Sequence, residues 1–424
     1  MSDEPAAHGP SPYATGLSLS QIRFRYFVLL VLRWMPTGIL IPILVLLAMA
    51  RGLSISEVGL VLATMGLTML VLELPSGGLS DSLGRRPVLL LSTAVGVVAL
   101  CLIFLAQNLA MFMVAYVLQG VYRALDSGPL ESWFVDSSQA VDRGTDIEAG
   151  LSRGGAVMGV SVACGALLSG VVVALDPIQG VASLATPVLL GIGIQLTGLV
   201  TAYLLLREPH TARTGGGAVS LRAVPSVISE SFTLVRRSPV VLGLVAVEIF
   251  WGFGMASFEI LMPVKLEAIL DSDEIAAAVM GPSASAAWAF SAIGAALIPV
   301  AARQFGTART AATLRLLHGV MVAGIGLAAG PVLAIGAYLL TYVVHGASNP
   351  LHMTLLHGQV EAGQRSTVVS VNSMVSGGMA SIGMVVLASV TEVMSVHVAM
   401  IAGAVVISVG ALLYLPAIRQ RSAM

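Results

Sequence analysis

Arg33, Arg123, Asp126, Glu131, Glu248, Glu259, His345 and His352 are ionisable residues set inside long apolar stretches. In a bilayer each charge there costs about 2.5–3.5 kcal/mol on insertion scales, so such groups face a wet cavity or one another and mark function. The chemistry open to them is ion pairing, recognition of a polar solute, and proton exchange, since a carboxyl taken out of water holds its proton more tightly. Arg33 stands beside Trp34, and Arg123 and Asp126 are three residues apart, within pairing reach on a helix. Glu131 follows about one and a half turns later, on a different side. Glu248 and Glu259 are eleven residues apart, which on a helix places them within about 20° of one face and roughly 16 Å apart along the axis. Trp251, Gly252 and Gly254 lie between them, a composition that permits bending. His345, Asn349 and His352 share one stripe at i, i+4 and i+7 spacing.

Plainer readings stand beside these. Arg123 and Asp126 also suit a purely structural pair, the two histidines suit packing groups bonded to neighbouring helices, and Arg33 could reach the interface along its aliphatic stem. Glu248 and Glu259 lie too deep for that escape. The histidines are too far apart on one helix to share a metal, and HExxH, GxSxG and P-loop patterns are absent. No metal centre, no cofactor and no enzyme is expected, and the lack of an ATP site excludes self-contained ATP drive.

The elements that must carry these residues are membrane spans. Soluble domains hold roughly a quarter charged residues, whereas this chain is 57% hydrophobic and 10% charged; lipid must solvate much of its surface. No charged residue occurs between Arg86 and Arg123 or between Arg315 and Glu361, and each interval exceeds the about 20 residues that one crossing needs. At about 35 residues per helix and loop, the chain makes twelve helices, near 22–50, 56–77, 87–106, 109–137, 147–174, 183–206, 239–269, 275–301, 309–328, 331–356, 366–390 and 394–417. A net charge of −1 without a basic stripe argues against nucleic acid. Cys101 and Cys164 lie in apolar runs and read as free packing residues.

Arginines fix the orientation. Arg85 and Arg86, Arg143 and Arg153, the run from Arg207 to Arg237, Arg303 and Arg309, Arg365, and Arg419 and Arg421 fall in alternate loops. The opposite loops carry little beyond Arg51 and Lys265, with an acidic Asp271, Asp273 and Glu274. Both termini are therefore expected in the cytoplasm. The expected organisation is a disordered cytoplasmic tail (1–21), which lacks the pattern of a cleavable signal peptide, a six-helix bundle (22–207), a cytoplasmic linker (208–238), a second bundle (239–418) and a short tail (419–424). In the linker, Leu221, Val224, Ile228, Phe232 and Val235 recur at helical intervals, which suits a helix lying in the headgroup plane. An internal repeat supports two halves. Ile39-Leu40-Ile41-Pro42 returns as Ile260-Leu261-Met262-Pro263, displaced by 221 residues, and the turn at Gly84 returns at Gly306, displaced by 222.

That first turn, Gly77–Arg86, reads GGLSDSLGRR, a short charged turn fit to latch one helix end against another. With the twelve spans and the duplication, it resembles the major facilitator superfamily over nearly the whole chain. Gly77, Asp81, Gly84, Arg85 and Arg86 match that family's G-x-x-x-D-[RK]-x-G-R-[RK] signature, and Ser82 departs from it. The resemblance implies an all-α membrane protein with twelve transmembrane helices in two pseudo-symmetric six-helix bundles. It implies a cavity walled by helices 1, 4, 7 and 10, parallel repeats being a known transporter plan. It also implies that the turn holds the cytoplasmic side closed, its arginine meeting an acid at the end of helix 4, for which Asp136 is the candidate. Two export-associated patterns fit poorly: R-x-x-Q-G becomes Tyr116 to Gly120, and G-P-x-x-G-G becomes Gly165 to Gly170 without its proline. Export by proton exchange thus rests on family frequency.

The function expected is secondary active transport of a small organic molecule, drug-like or metabolite, by rocking of 1–207 against 239–424. The site candidates are Arg33, Trp34, Arg123, Asp126, Glu131, Glu248, Trp251, Glu259, His345 and Asn349, with Trp133 as a further cavity aromatic. Glu248, Glu259 or Glu131 is the expected proton carrier. The alternatives are proton-coupled uptake and, from another class, a non-transporting receptor or scaffold. The expected partners are a small-molecule substrate, the lipid bilayer and protons as coupling ion, and the expected state is a monomer in the plasma (inner) membrane.

Overall fold

The computed structural model describes residues 16–207, 235–236, 238–361 and 364–422. Its helices are α1 Leu19–Leu40, α2 Leu44–Ala50, α3 Ile55–Leu83, α4 Arg85–Leu105, α5 Leu109–Asp126, α6 Pro129–Val141, α7 Ile147–Leu175 and α8 Thr186–Leu205, then α9 Pro239–Glu259, α10 Leu261–Leu270, α11 Asp273–Phe305, α12 Thr307–Leu327, α13 Pro331–His357, α14 Arg365–Val393, α15 Val396–Val409 and α16 Leu415–Ser422. They begin where the sequence supplies caps. Ser18 and Ser54 each accept a bond from the N–H three residues on, while Gln21 and Glu57 reach back to the cap's own N–H, satisfying two orphan donors at once. Asn108, Asp146, Ser238, Ser272 and Ser395 cap with the side chain alone.

Helices that continue one another make twelve rods among the described residues, with α1–α2, α5–α6, α9–α10 and α15–α16 as broken ones. Ten spans are long and apolar enough to cross a membrane, or eleven with the α1–α2 pair, which bends by 45°. The twelfth rod, α5–α6, is diluted by Gln119, Arg123, Asp126 and Glu131. The first helix starts at Leu19, inside the stretch expected to be tail, because Ser18 and Gln21 form a cap. The last continues to Ser422. The expected interfacial helix lies outside the described residues except for Val235, which is buried, and Arg236.

The duplication is real in three dimensions. In the first half α1 packs on α7 and α8, α3 on α5, and α4 on α5 and α8; in the second, α9 packs on α14 and α15, α11 on α13, and α12 on α13 and α15. These are the same five rod pairings, repeated. The Ile39–Pro42 and Ile260–Pro263 motifs both fall at a break, between α1 and α2 and between α9 and α10; their prolines lack the N–H that a continuous helix needs. Gly84 (φ 93°, ψ 160°) and Gly306 (φ 82°, ψ 144°) each end one rod and start the next, a conformation close to glycine's preserve.

The halves meet along α3 with α14 and α7 with α11. Glycines bring the backbones close: Gly59 lies on Met384 and Ala388, Gly66 on Ser381, and Gly170 on Gly281. The Ser56 N–H, at the start of α3, donates to Glu392 at 3.1 Å. These contacts concentrate toward the end of the molecule that carries Arg51 and Asp271. Nearer the Gly84 end, a side chain at Gly155 on α7 would meet no atom within 4 Å.

Candidate functional site

Between the halves lies a cavity of about 210 Å³. Its wall is mostly apolar, with Pro36, Leu40, Leu62, Leu100, Ile260 and Met384 among the lining residues. The polar groups are few: Tyr116, Gln119, Tyr122 and Arg123 from α5, Gln195 from α8 and Glu259 from α9, with Thr37 on α1. Tyr116, Gln119 and Arg123 stand at i, i+3 and i+7, on one face of their helix. The Arg123 guanidinium lies over the Trp34 ring at 4.5 Å. Among the described residues no carboxylate comes within ion-pair distance of it. The Tyr116 hydroxyl is sealed and, among the described residues, has no hydrogen-bond partner. Across the cavity Glu259 closes α9 and is exposed although it sits mid-molecule, where the cavity gives it its opening. It accepts a hydrogen bond from the Tyr342 hydroxyl at 3.2 Å, and no cation pairs with it among the described residues.

Beside the cavity, Arg33 forms the hub of the first half. Its Nε donates to the Asp126 carboxylate, its Nη1 to Glu131 at 2.9 Å and its Nη2 to the Asp126 carbonyl at 2.7 Å. The sequence-level pairing of Arg123 with Asp126 is therefore corrected. Helix 4 is not continuous: Ser127 is extended, Gly128 takes φ 90°, and Pro129 starts a new helix. The break frees the Asp126 carbonyl and turns Glu131, expected on a different side, onto the same guanidinium.

A second cluster lies in the other half. Glu248 sits 3.8 Å from Arg315 Nη2 and 3.4 Å from His352 Nε2. His352 also bonds the Tyr414 hydroxyl at 2.9 Å and Asn372 at 3.1 Å. Arg315 lies over Trp251 at 4.4 Å, and Trp251 packs on His318 and His345 with ring centroids 4.9 Å and 5.2 Å away. Arg315 Nε and Nη1, both His318 nitrogens and His345 Nδ1 are buried without a hydrogen-bond partner among the described residues. Arg315 and His318 were missed in the sequence, where Arg315 served only to mark the edge of an uncharged interval. The signal was its position, about two turns inside α12, too deep for a loop residue. Tyr342, the partner of Glu259, carried no signal at all.

Other expectations fare unevenly. Asn349 is exposed and joins neither cluster. His345 and the rest of helix 10 do not line the cavity; α3, α4, α8 and α14 contribute instead. Trp133 is core, not cavity wall, at 1% exposure with its Nε1 donating to the Arg207 carbonyl at 2.9 Å. In the charged turn, Arg85 pairs with Asp136 and donates to the Ser132 carbonyl at 2.9 Å. Arg86 donates to the Tyr203 carbonyl at 2.9 Å. Gly77 and Asp81 fall in the last turns of α3; the Asp81 side chain and the surroundings of Gly77 lie outside the described residues.

Solved structures share this architecture. A variant of the nucleoside transporter NupG superposes with a TM-score of 0.77 at 12% identity, covering 93% of this chain and 99% of that one. A bacterial homologue of the human lysosomal transporter Spinster, in an inward-facing and occupied conformation, gives 0.73 at 14% identity, covering 97% and 98%. The human organic anion transporter MFSD10 (TETRAN) gives 0.62 at 16% identity, covering 94% and 100%. At these identities the likeness is one of fold. A search of the curated proteins finds no match. The family model of the Major Facilitator Superfamily matches residues 26–384, so with its two six-rod halves, glycine-hinged turn and central cavity, this chain belongs to the major facilitator superfamily of membrane transporters.

Proposed function

We propose that this chain is a proton-coupled exporter of a small organic molecule in the plasma (inner) membrane, working by alternating access as α1–α8 rock against α9–α16. One observation carries the reading: the cavity between the halves presents a carboxylate, Glu259, with no ion-pair partner among the described residues, to the space a substrate would fill. A proton and a substrate that both use that carboxyl exclude each other, which is the condition for exchange. Glu131 and Glu248 are weaker candidates, because Arg33 engages the first and Arg315 with His352 the second. The positive-inside rule assigns the arginine-rich Gly84 end, and both termini, to the cytoplasm. The halves are drawn together at the other end, so loading from the cytoplasm suits this state. Residues 208–238 then act as the cytoplasmic linker, and the Arg85–Asp136 contact as part of the latch for the opposite state.

One charge falling through 100 mV yields about 2.3 kcal/mol, which supports a gradient of roughly fifty-fold in a tightly coupled neutral solute. At 210 Å³ the cavity is smaller than the about 300–1,000 Å³ of sites for drug-sized ligands, which favours a metabolite-sized substrate. The names of the similar structures point to nucleosides and organic anions, so the fold alone does not choose. The test is flux in proteoliposomes under an imposed pH gradient, with Glu259→Gln, Glu248→Gln and Glu131→Gln. Glu259→Gln is expected to abolish gradient-driven flux while leaving substrate–substrate exchange; undiminished gradient-driven flux in all three variants removes the proposal.

A further inference from the structure

We infer that the cavity takes a small amphiphilic amino acid as its zwitterion, with the carboxylate on Arg123, the ammonium on Glu259 and the apolar side chain against the rest of the wall. This deepens the transport reading and rests on it only for the meaning of the site. Two opposite charges line one cavity, one contributed by each half. They do not form an ion pair with each other or, among the described residues, with any other group. The carboxylates of the two buried clusters are engaged instead: Asp126 and Glu131 are held by Arg33, and Glu248 lies against Arg315 and His352. Two opposite charges without an ion-pair contact in a largely apolar wall suit a ligand that carries both complements.

The surroundings agree with the polarity of that assignment. Beside Arg123 on the same helix face the cavity wall carries the Gln119 amide, one turn away. The guanidinium and that amide both offer N–H donors to the oxygens of an acid. Among the cavity-lining residues of the second half, Ile260 and Met384 are apolar, and the neutral Tyr342 hydroxyl takes one Glu259 oxygen, which leaves acceptor capacity on the carboxylate for an ammonium. The remaining wall offers few hydrogen-bond groups, which disfavours a sugar or another polyhydroxylated body. A bound zwitterion bridges the two halves, so occupancy itself favours their approach. Because the ammonium and the coupling proton compete for one carboxyl, the same contact that confers specificity would give exchange.

The test uses purified full-length protein in detergent and four compounds with one body: tryptophan, 3-indolepropionate, tryptamine and uncharged 3-ethylindole. Binding is read by calorimetry and by ligand-induced thermal stabilisation, which follows mass action. Tryptophan is expected to bind about tenfold tighter or more than either singly charged compound. Arg123→Gln is expected to erase the preference for tryptophan over tryptamine, and Glu259→Gln the preference over 3-indolepropionate, each variant first shown to melt like the wild type. If a variant does not, Arg123→Lys and Glu259→Asp, which keep the charges, must retain the wild-type order of preference. Equal binding of 3-ethylindole and tryptophan, preferences unchanged in both Gln variants, or no binding of any of the four compounds by the wild type overturns the inference. Failure of transport reads differently: a protein that shows the full charge preference in detergent yet moves no tryptophan in proteoliposomes keeps the zwitterion site and loses the exporter.

Discussion

The two halves repeat the same rods and the same pairings, but they treat their buried guanidiniums differently. In the first half each of the three Arg33 nitrogens is bonded to Asp126 or Glu131, across a helix break that would otherwise leave the Asp126 carbonyl unpaired, and Glu131 Oε2 is buried without a partner among the described residues. In the second, Arg315 is buried to 3% exposure and reaches Glu248 only at 3.8 Å. Two of its nitrogens lack partners among the described residues, as do those of His318 beside it. A guanidinium bonded through every nitrogen is a staple, since it cannot move without giving up a bond to a carboxylate or a carbonyl. An under-satisfied cluster has more than one acceptable arrangement, and buried groups with unused hydrogen-bonding capacity are where a structure can shift between states. The comparison assigns the Arg33 cluster to holding helix 4 together and the Arg315 cluster to the moving part of the cycle.

The sharpest way to break this contrast is to remove one acid from each cluster. Asp126→Asn leaves Arg33 buried with part of its compensation gone and is expected to cost about 3–5 kcal/mol, read as a large loss of thermal stability in detergent. Glu248→Gln removes a loose partner and is expected to cost about 1–2 kcal/mol, while lowering transport more than its stability loss explains. Equal stability losses would show that the distance between Arg315 and Glu248 is no measure of how firmly they are joined.

This contrast also separates what the sequence reveals from what it hides. Span number and duplication are legible because lipid imposes length and hydropathy on every rod, and because Pro42 with Pro263, and Gly84 with Gly306, are backbone necessities that recur with the fold. The Arg85–Asp136 pairing is legible through the family signature. The partner of Asp126 is not, because a spacing rule assumes an unbroken helix and Gly128 breaks it. Nor is Glu259's hydroxyl donor, Tyr342, which lies 83 residues away, or the role of Arg315, whose depth depends on where α12 starts. Local chemistry writes helix ends into the sequence; contacts between rods are set by rotation about each rod, and no residue spacing reports that.

The paired turns test the symmetry itself. Gly84→Ala and Gly306→Ala each put a Cβ on a backbone with φ of 93° or 82°, and each is expected to cost about 1–3 kcal/mol, by similar amounts, in the same melting assay. The halves are expected to diverge in function. Gly84→Ala also displaces Arg85 from Asp136 and should slow transport at a temperature where both variants are folded. A Gly306→Ala protein that slows transport as much would mean that both turns, not one, act as latches.

The smallest effect concerns how each half finishes the end of its third rod. The last carbonyls of a helix have no partner within it and carry its negative pole. Arg51 covers them in the first half, donating to the carbonyls of Ile103 and Ala106 at 2.7 Å each and of Phe104 at 2.8 Å. Lys265 takes the equivalent place at the end of α12, donating to the Gly326 carbonyl at 3.0 Å with His397 Nδ1 at 2.9 Å. The substitutes are not equal. Arg51 serves three acceptors that have no other donor among the described residues, so Arg51→Met is expected to cost about 1–2 kcal/mol. His397 Nδ1 also lies 2.6 Å from the Gly326 carbonyl and can donate to it once the ammonium is gone, in the tautomer that carries its proton there. Lys265→Met also removes a fully buried charge with no carboxylate partner among the described residues, so its net effect is expected to stay below about 1 kcal/mol. Measured melting shifts in that order support a cap built once with arginine and once with a lysine–histidine pair. A larger loss at Lys265 than at Arg51 would mean that the ammonium, rather than the imidazole, satisfies the second half's helix end.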